Sequence, residues 1–213
     1  MLRRLDSSGR TFGRIVPVEL ALFDFDHTIT TGDSYGRFLR RVATPQQLAQ
    51  ARWTIGPWLA GYRIGLVSAV ALRRRATKMT FAGRRADEIA RHGERYAAEE
   101  LPAMLCPAMM EHVARHRAQG HRLLLVSASL DVYLAPWCRT HGMELLCNRL
   151  ESASAVLTGR YAGGDIGVRK AEAIRTYCDL SRHSRIHAYG DSREDLPMLA
   201  LAQERWYRGK HLA

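Results

Sequence analysis

The run Glu19-Leu20-Ala21-Leu22-Phe23 breaks off into Asp24-Phe25-Asp26-His27-Thr28. An apolar run this short has strand length, not helix length. A buried strand that delivers two carboxylates at its C-terminal end is how open α/β folds place their crevice residues. Similar breaks recur downstream. Leu123 to Val126 stops at Ser127-Ala128-Ser129, and Ile186 to Tyr189 stops at Gly190-Asp191-Ser192, with Asp195 one turn later. Leu145 to Cys147 is a further short strand, and Arg205 to Arg208 reads as a last one. Helical periodicity fills the intervals at 35–42, 84–101, 107–119, 130–138, 168–180 and 196–202, while the glycines in 148–166 suggest a small hairpin. Alternating strands and helices predict a mostly parallel sheet with helices on both faces.

Strand ends in such a sheet open onto one crevice, so Asp24, Asp26, Asp191 and Asp195 are expected to converge there with Ser127. Four carboxylates placed together repel one another and have raised pKa values. A hard divalent cation compensates them, and Mg2+ suits a few carboxylates, a carbonyl, water and a substrate phosphate. One aspartate at a strand end would as readily be a helix N-cap; four at two strand ends outweigh that reading. Lys170 stands out because the chain has 29 arginines and only three lysines. At the start of the helix preceding the strand at 186 it can set a compact point charge beside a phosphoryl group.

Together, DFDHTIT at 24–30, VSAS at 126–129, Lys170 and GDSRED at 190–195 resemble the four motifs of haloacid-dehalogenase-like phosphohydrolases. Their order and spacing are similar to the subgroup (IB) that contains phosphoserine phosphatase. The resemblance implies a Rossmann-like parallel sheet with an inserted helical cap. The core would comprise 18–32 with 111–213, the cap 33–110, and 1–17 would be a basic leader. It further implies that Asp24 is a nucleophile forming an aspartyl-phosphate, and that Asp26 is general acid and then base. Ser127 and Lys170 would hold the phosphoryl oxygens. Mg2+ would be bound by Asp24, Asp191 and the backbone carbonyl of Asp26, with Asp195 orienting Lys170 or a metal-bound water. Thr28 would pin the loop after the nucleophile. Asp33 occupies the place of an acidic cap residue that meets the substrate amino group in phosphoserine phosphatases; it reads equally as a helix N-cap. Two departures bear on the substrate: the last motif is GDSRED where phosphoserine phosphatases read GDGxND, and the second is VSAS in place of VSGG.

The net charge of +11 is localised. From Ser34 to Ala86 there are eleven Arg or Lys residues and no Asp or Glu. Within that block Trp53 to Leu72 holds one charge, Arg63, and Arg73-Arg74-Arg75 and Lys78 follow. Three readings are open: a cap lying on or shallowly in a membrane, a transmembrane segment, or an ordinary helical cap. Arg63, Pro57 and the glycines weigh against spanning. Apolar aromatic turns beside arginines would suit an anionic membrane surface contacted through 53–78, and the stretch is similar to the phosphatidylglycerophosphatase C branch of the subgroup. The expectation is a Mg2+-dependent phosphomonoester hydrolase acting on a membrane lipid phosphate such as phosphatidylglycerophosphate. The alternative is a soluble small-metabolite phosphatase for phosphoserine, histidinol phosphate, glycerol phosphate or a nucleotide. Nucleic acid is not expected, because strand-end aspartates repel a phosphate backbone. The cysteines, Cys106, Cys138, Cys147 and Cys178, lack the spacing of a zinc site or disulfide framework. The leader is no secretory signal, which points to the cytoplasm, at the inner face of the inner membrane if the lipid reading holds.

Overall fold

The computed structural model describes residues 18–212, so the expected leader 1–17 lies outside the described residues. Eight strands occur among them: β1 (Leu20–Phe23), β2 (Arg122–Leu130), β3 (Glu144–Asn148), β4 (Leu150–Ala153), β5 (Val156–Tyr161), β6 (Ile186–Gly190), β7 (Glu204–Tyr207) and β8 (Lys210–Leu212). Helices α1 (Ser34–Val42), α2 (Pro45–Thr54), α3 (Gly56–Arg63), α4 (Ala69–Phe81), α5 (Ala86–Glu99) and α6 (Pro107–Ala118) separate β1 from β2. Helix α7 (Asp131–His141) follows β2, α8 (Lys170–Tyr177) precedes β6, and α9 (Leu196–Leu199) precedes β7.

The main sheet has the order β3-β2-β1-β6-β7-β8, parallel except for β8, and β4 and β5 form a separate hairpin. The α/β fold with a helical insertion is as expected. In β1 all four side chains are fully buried. Strand alternation sends Leu20 and Leu22 into one apolar cluster with Ile174, Ile186 and Met198. It sends Ala21 and Phe23 into the other, with Tyr133, Trp137 and Tyr189. Helices covering both faces explain why the strand reads as an unbroken apolar run. Phe23 pairs with Leu125 and Tyr189, so Asp24, Ser127 and Asp191 emerge at the same edge. Strand β2 does not stop at Val126. It continues through an irregularity between Ser127 and Leu130, where it resumes pairing with Asn148.

The inserted helices grip the core through aromatic packing. Phe38 of α1 and Tyr96 of α5 lie 5.0 and 5.3 Å, ring centre to ring centre, from Tyr133 of α7. Helices α5 and α7 approach closely at Gly93, where a Cβ would sit 2.2 Å from the Val132 carbonyl oxygen.

The membrane expectation for 53–78 is overturned. Thr54 ends α2, Pro57 opens α3, and Gly65 at φ +79 turns the chain before Ser68 caps α4. The eight residues of α3 rise about 12 Å at 1.5 Å per residue, against the roughly 30 Å hydrocarbon core of a bilayer. Among the described residues no helix is long and apolar enough to cross a membrane. Two of the arginines are also diverted. Arg75 lies over the Trp58 ring at 4.8 Å and donates to the Thr54 carbonyl, while Arg73 turns toward Asp165. Trp53, Ile64 and Leu66 remain exposed at the α2–α4 turns.

Candidate active site

Asp24 is the first residue past β1, and its N–H donates to the Tyr189 carbonyl at 2.9 Å. The chain then coils tightly through Phe25–Ile29, with His27 at φ +57, and the Thr30 amide and hydroxyl both donate to the Phe25 carbonyl. This coil turns Asp26 between the insertion and β2. Its Oδ1 accepts from the Ser34 N–H at 2.6 Å, and its Oδ2 accepts from the Ser129 hydroxyl.

Lys170, buried at the start of α8, donates from Nζ to Asp24 Oδ1 and Asp195 Oδ1, each at 2.5 Å. The other oxygen of Asp195 is crowded with donors: the Asp191 and Ser192 amides at 3.2 and 2.8 Å and the Ser192 hydroxyl at 2.7 Å. Gly190 is required beside it, since a Cβ there would lie 2.6 Å from the Asp195 Cβ. Asp195 therefore spans the last motif and Lys170.

Burial pushes Asp24 up to about 7; Lys170 opposes that rise, and Asp195 and Asp26 add to it. Burial also raises Asp26 against the pull of Ser129 and Ser34, and raises Asp191 with help from Asp195. Asp195 stays below its ordinary value in spite of burial because Lys170 and Ser192 stabilise the carboxylate. Lys170 is raised against its own burial by the two aspartates. The unmet demand for positive charge falls on Asp24 and Asp191. One oxygen each from Asp24, Asp191 and Asp195 lies within 4.8 Å of the others, an all-oxygen set of the kind hard cations take.

Ser127 is buried, and its hydroxyl oxygen accepts from the Ser129 N–H at 3.1 Å. The Thr28 hydroxyl is buried with no protein partner, a group that an entering acceptor would satisfy. Asp33 does not join this cluster. Its carboxylate caps α1, accepting from the Gly36 N–H at 2.8 Å.

Sequence reasoning missed Ser129 and Ser34 as the holders of Asp26. The second serine of VSAS was the available signal for the first, and the second acts through its backbone. It also missed Arg73, which reaches from α4 to Asp165 at 2.8 Å and to Glu194 of the last motif at 3.0 Å. No local pattern separates Arg73 from Arg74 and Arg75.

Residues 21–200 match the profile of the family described as haloacid dehalogenase-like hydrolase. The chain is 32% identical over 203 residues to Protein CicA of Caulobacter vibrioides, covering 89% of this chain and 85% of that protein. It is 28% identical over 197 residues to Phosphoserine phosphatase SerB1 of Mycobacterium tuberculosis, covering 87% of this chain and 64% of that one. A solved structure of a protein of unknown function from Bordetella pertussis Tohama I superposes with a TM-score of 0.74 at 25% identity, over 88% of each chain.

Proposed function

The chain belongs to the haloacid dehalogenase-like hydrolases, and from that premise we propose that it hydrolyses a small, water-soluble phosphate monoester through an aspartyl-phosphate. We assign it to the phosphoserine-phosphatase-like branch, with 33–110 as cap and 18–32 plus 111–213 as core. The observation that supports the chemistry best is the division of labour between two neighbouring carboxyls. Asp24 shares Lys170 with Asp195, whereas Asp26 is held apart by Ser34 and Ser129.

In this reading Asp24 uses Oδ2 to attack phosphorus while Lys170 occupies Oδ1. The P–O bond to the leaving alcohol breaks, and the protonated Asp26 carboxyl, kept available by its raised pKa, gives its proton to that oxygen. Asp26, now ionised, takes a proton from water, which adds to the phosphoryl group and releases Asp24 and inorganic phosphate. Lys170, Ser127 and Thr28 bind the equatorial oxygens, where charge accumulates. Asp24, Asp191 and the Asp26 carbonyl would hold Mg2+, and the all-oxygen donors and the raised Asp24 and Asp191 fit such an ion. When bound, it would supply charge neutralisation between nucleophile and phosphate. Asp195 is a positioning residue for Lys170.

The lipid-phosphate expectation is withdrawn. The segment meant to find a membrane is broken into separate helices, with Arg73 and Arg75 engaged within the fold, and the relative SerB1 is named a phosphoserine phosphatase. The four cysteines are unpaired, which suits a reducing cytoplasm. The test is phosphate release with Mg2+ across phosphoserine, histidinol phosphate, glycerol phosphate, nucleotides and phosphatidylglycerophosphate. A small ester should be turned over fastest, and D24N should lose activity by at least about 10^3-fold without unfolding, as expected for removal of a nucleophile. Preference for the lipid, or near-normal turnover by D24N, would contradict the reading.

A further inference from the structure

Away from the aspartates, three histidines meet near the N-terminal ends of the strands. His121 immediately precedes β2, His187 sits in β6 opposite Ala21, and His116 reaches up from α6. Their ring centres lie 4.6 Å (His116–His187), 5.0 Å (His116–His121) and 5.8 Å (His121–His187) apart. One nitrogen from each lies within 4.8 Å of one from each of the others. Two Nδ1 atoms, of His116 and His121, face each other at 2.8 Å, and His116 Nε2 pairs with the Tyr189 hydroxyl at 2.9 Å. His187 Nε2 meets Glu19 Oε2 at 2.6 Å, and its Nδ1 is buried with no hydrogen-bond partner.

We propose that His116, His121 and His187 form a second metal site, distinct from the carboxylate cluster, that takes a borderline divalent ion of the Zn2+ type. The Glu19 contact fixes the tautomer. A carboxylate accepting from Nε2–H leaves Nδ1 as a lone pair, the carboxylate–histidine–metal arrangement, and here that lone pair is the orphaned one. His116 and His121 oppose two Nδ1 positions across one shared proton. With a metal between them that proton moves to an outer nitrogen, where the Tyr189 hydroxyl accepts from His116 and Glu19, 3.7 Å from His121 Nε2, faces the other ring. Each imidazole stays neutral, so proton and charge balance hold. A tetrahedral ion with Zn–N bonds of about 2.0–2.1 Å spaces its ligand nitrogens about 3.3–3.4 Å apart, so the His116 and His121 Nδ1 atoms, now 2.8 Å apart, part by about half an ångström to admit it. Imidazole donors favour Zn2+ over Mg2+, which takes oxygen.

The site joins α6 to the entry ends of β2 and β6, three strand residues or about 10 Å from the level of Asp24. Its role is a staple of the sheet, not a participant in hydrolysis. The experiment uses untagged, metal-stripped full-length protein saturated with Mg2+ and titrated with Zn2+ by calorimetry, and with Co2+ by visible absorption. One Zn2+ should bind and raise the unfolding temperature, and Co2+ should give tetrahedral bands. H121Q, altered at the partly exposed turn position, should bind Zn2+ at least tenfold more weakly, while D191N should bind it normally. Absence of Zn2+ binding over the Mg2+ background, wild-type binding by a folded H121Q, or loss of binding in D191N alone would overturn the proposal.

Discussion

Lys170 and Asp26 show how single side chains are set for opposite tasks a few ångströms apart. Lys170 is fixed by two carboxylates, so its charge stays where a phosphoryl group would arrive. Asp26 is held by one backbone N–H and one hydroxyl, and burial raises it. Removing the hydroxyl takes away a hydrogen bond to a charged group, worth about 1.5–3 kcal/mol. S129A is therefore expected to lower kcat by about tenfold or more, and to move the alkaline limb of the kcat–pH profile, where the Asp26 proton is lost, upward, because the Asp26 carboxylate loses support. A steady-state pH profile of the variant measures both. His116 gives a stability signature in metal-free protein. Burial, with His187 and His121 nearby, pushes it from the ordinary 6.5 to about 4. Between those values the unfolded chain takes up a proton that the folded one refuses. Stability should thus be unaffected by this group above about pH 6.5 and fall as pH drops toward 4. Urea midpoints at a series of pH values should show that slope in the wild type and a shallower one in H116Q. The motif aspartates were legible in the sequence because their spacing follows strand ends. Ser34 was not, since a backbone amide leaves no mark on residue type.

At the scale of elements, α4 is tied to the catalytic core by Arg73. Its guanidinium donates to both Asp165 oxygens, at 2.8 and 3.1 Å, and to Glu194 at 3.0 Å. Asp165 is almost wholly buried, with 3% of its side chain exposed. Breaking a buried pair by removing one partner leaves an uncompensated charge and costs about 3–5 kcal/mol. R73A should destabilise the protein by about that amount in urea unfolding, and adding D165N should recover part of it. The departure of the last motif from GDGxND, with glutamate where asparagine is usual, now has a structural partner in Arg73. The helix α2–α4 region was the least legible part of the chain. Its composition allowed a membrane surface or a cap core, and the deciding feature was where Pro57 and Gly65 turn the backbone and what each arginine meets afterwards.

For the whole molecule, insertion and core share one aromatic cluster, in which Phe38 and Tyr96 from the insertion pack on Tyr133 from the core. Neither part buries that surface alone. Unfolding is expected to be a single cooperative transition, with tryptophan fluorescence and far-UV circular dichroism giving the same urea midpoint; resolved transitions would show that the parts unfold separately. The excess charge has a whole-molecule answer as well. In sequence, 34–86 lacks any acid, yet Arg41 pairs with Glu99 and Glu100, Arg84 with Glu88, Arg85 with Asp87, and Arg73 with Asp165 and Glu194. The acids that answer the block lie on α5, at the residue just after it, and in the core. The sequence by itself determined the parallel sheet and the emergence of Asp24, Ser127 and Asp191 at one edge of it, because strand length, alternation and the residue that follows a buried strand are local properties. Only the tertiary structure decided which cations are committed to ion pairs, that Asp33 caps a helix, that Asp195 bridges Lys170 and the last motif, and that histidines from three elements meet. Each of these depends on which distant groups the fold brings within hydrogen-bonding distance.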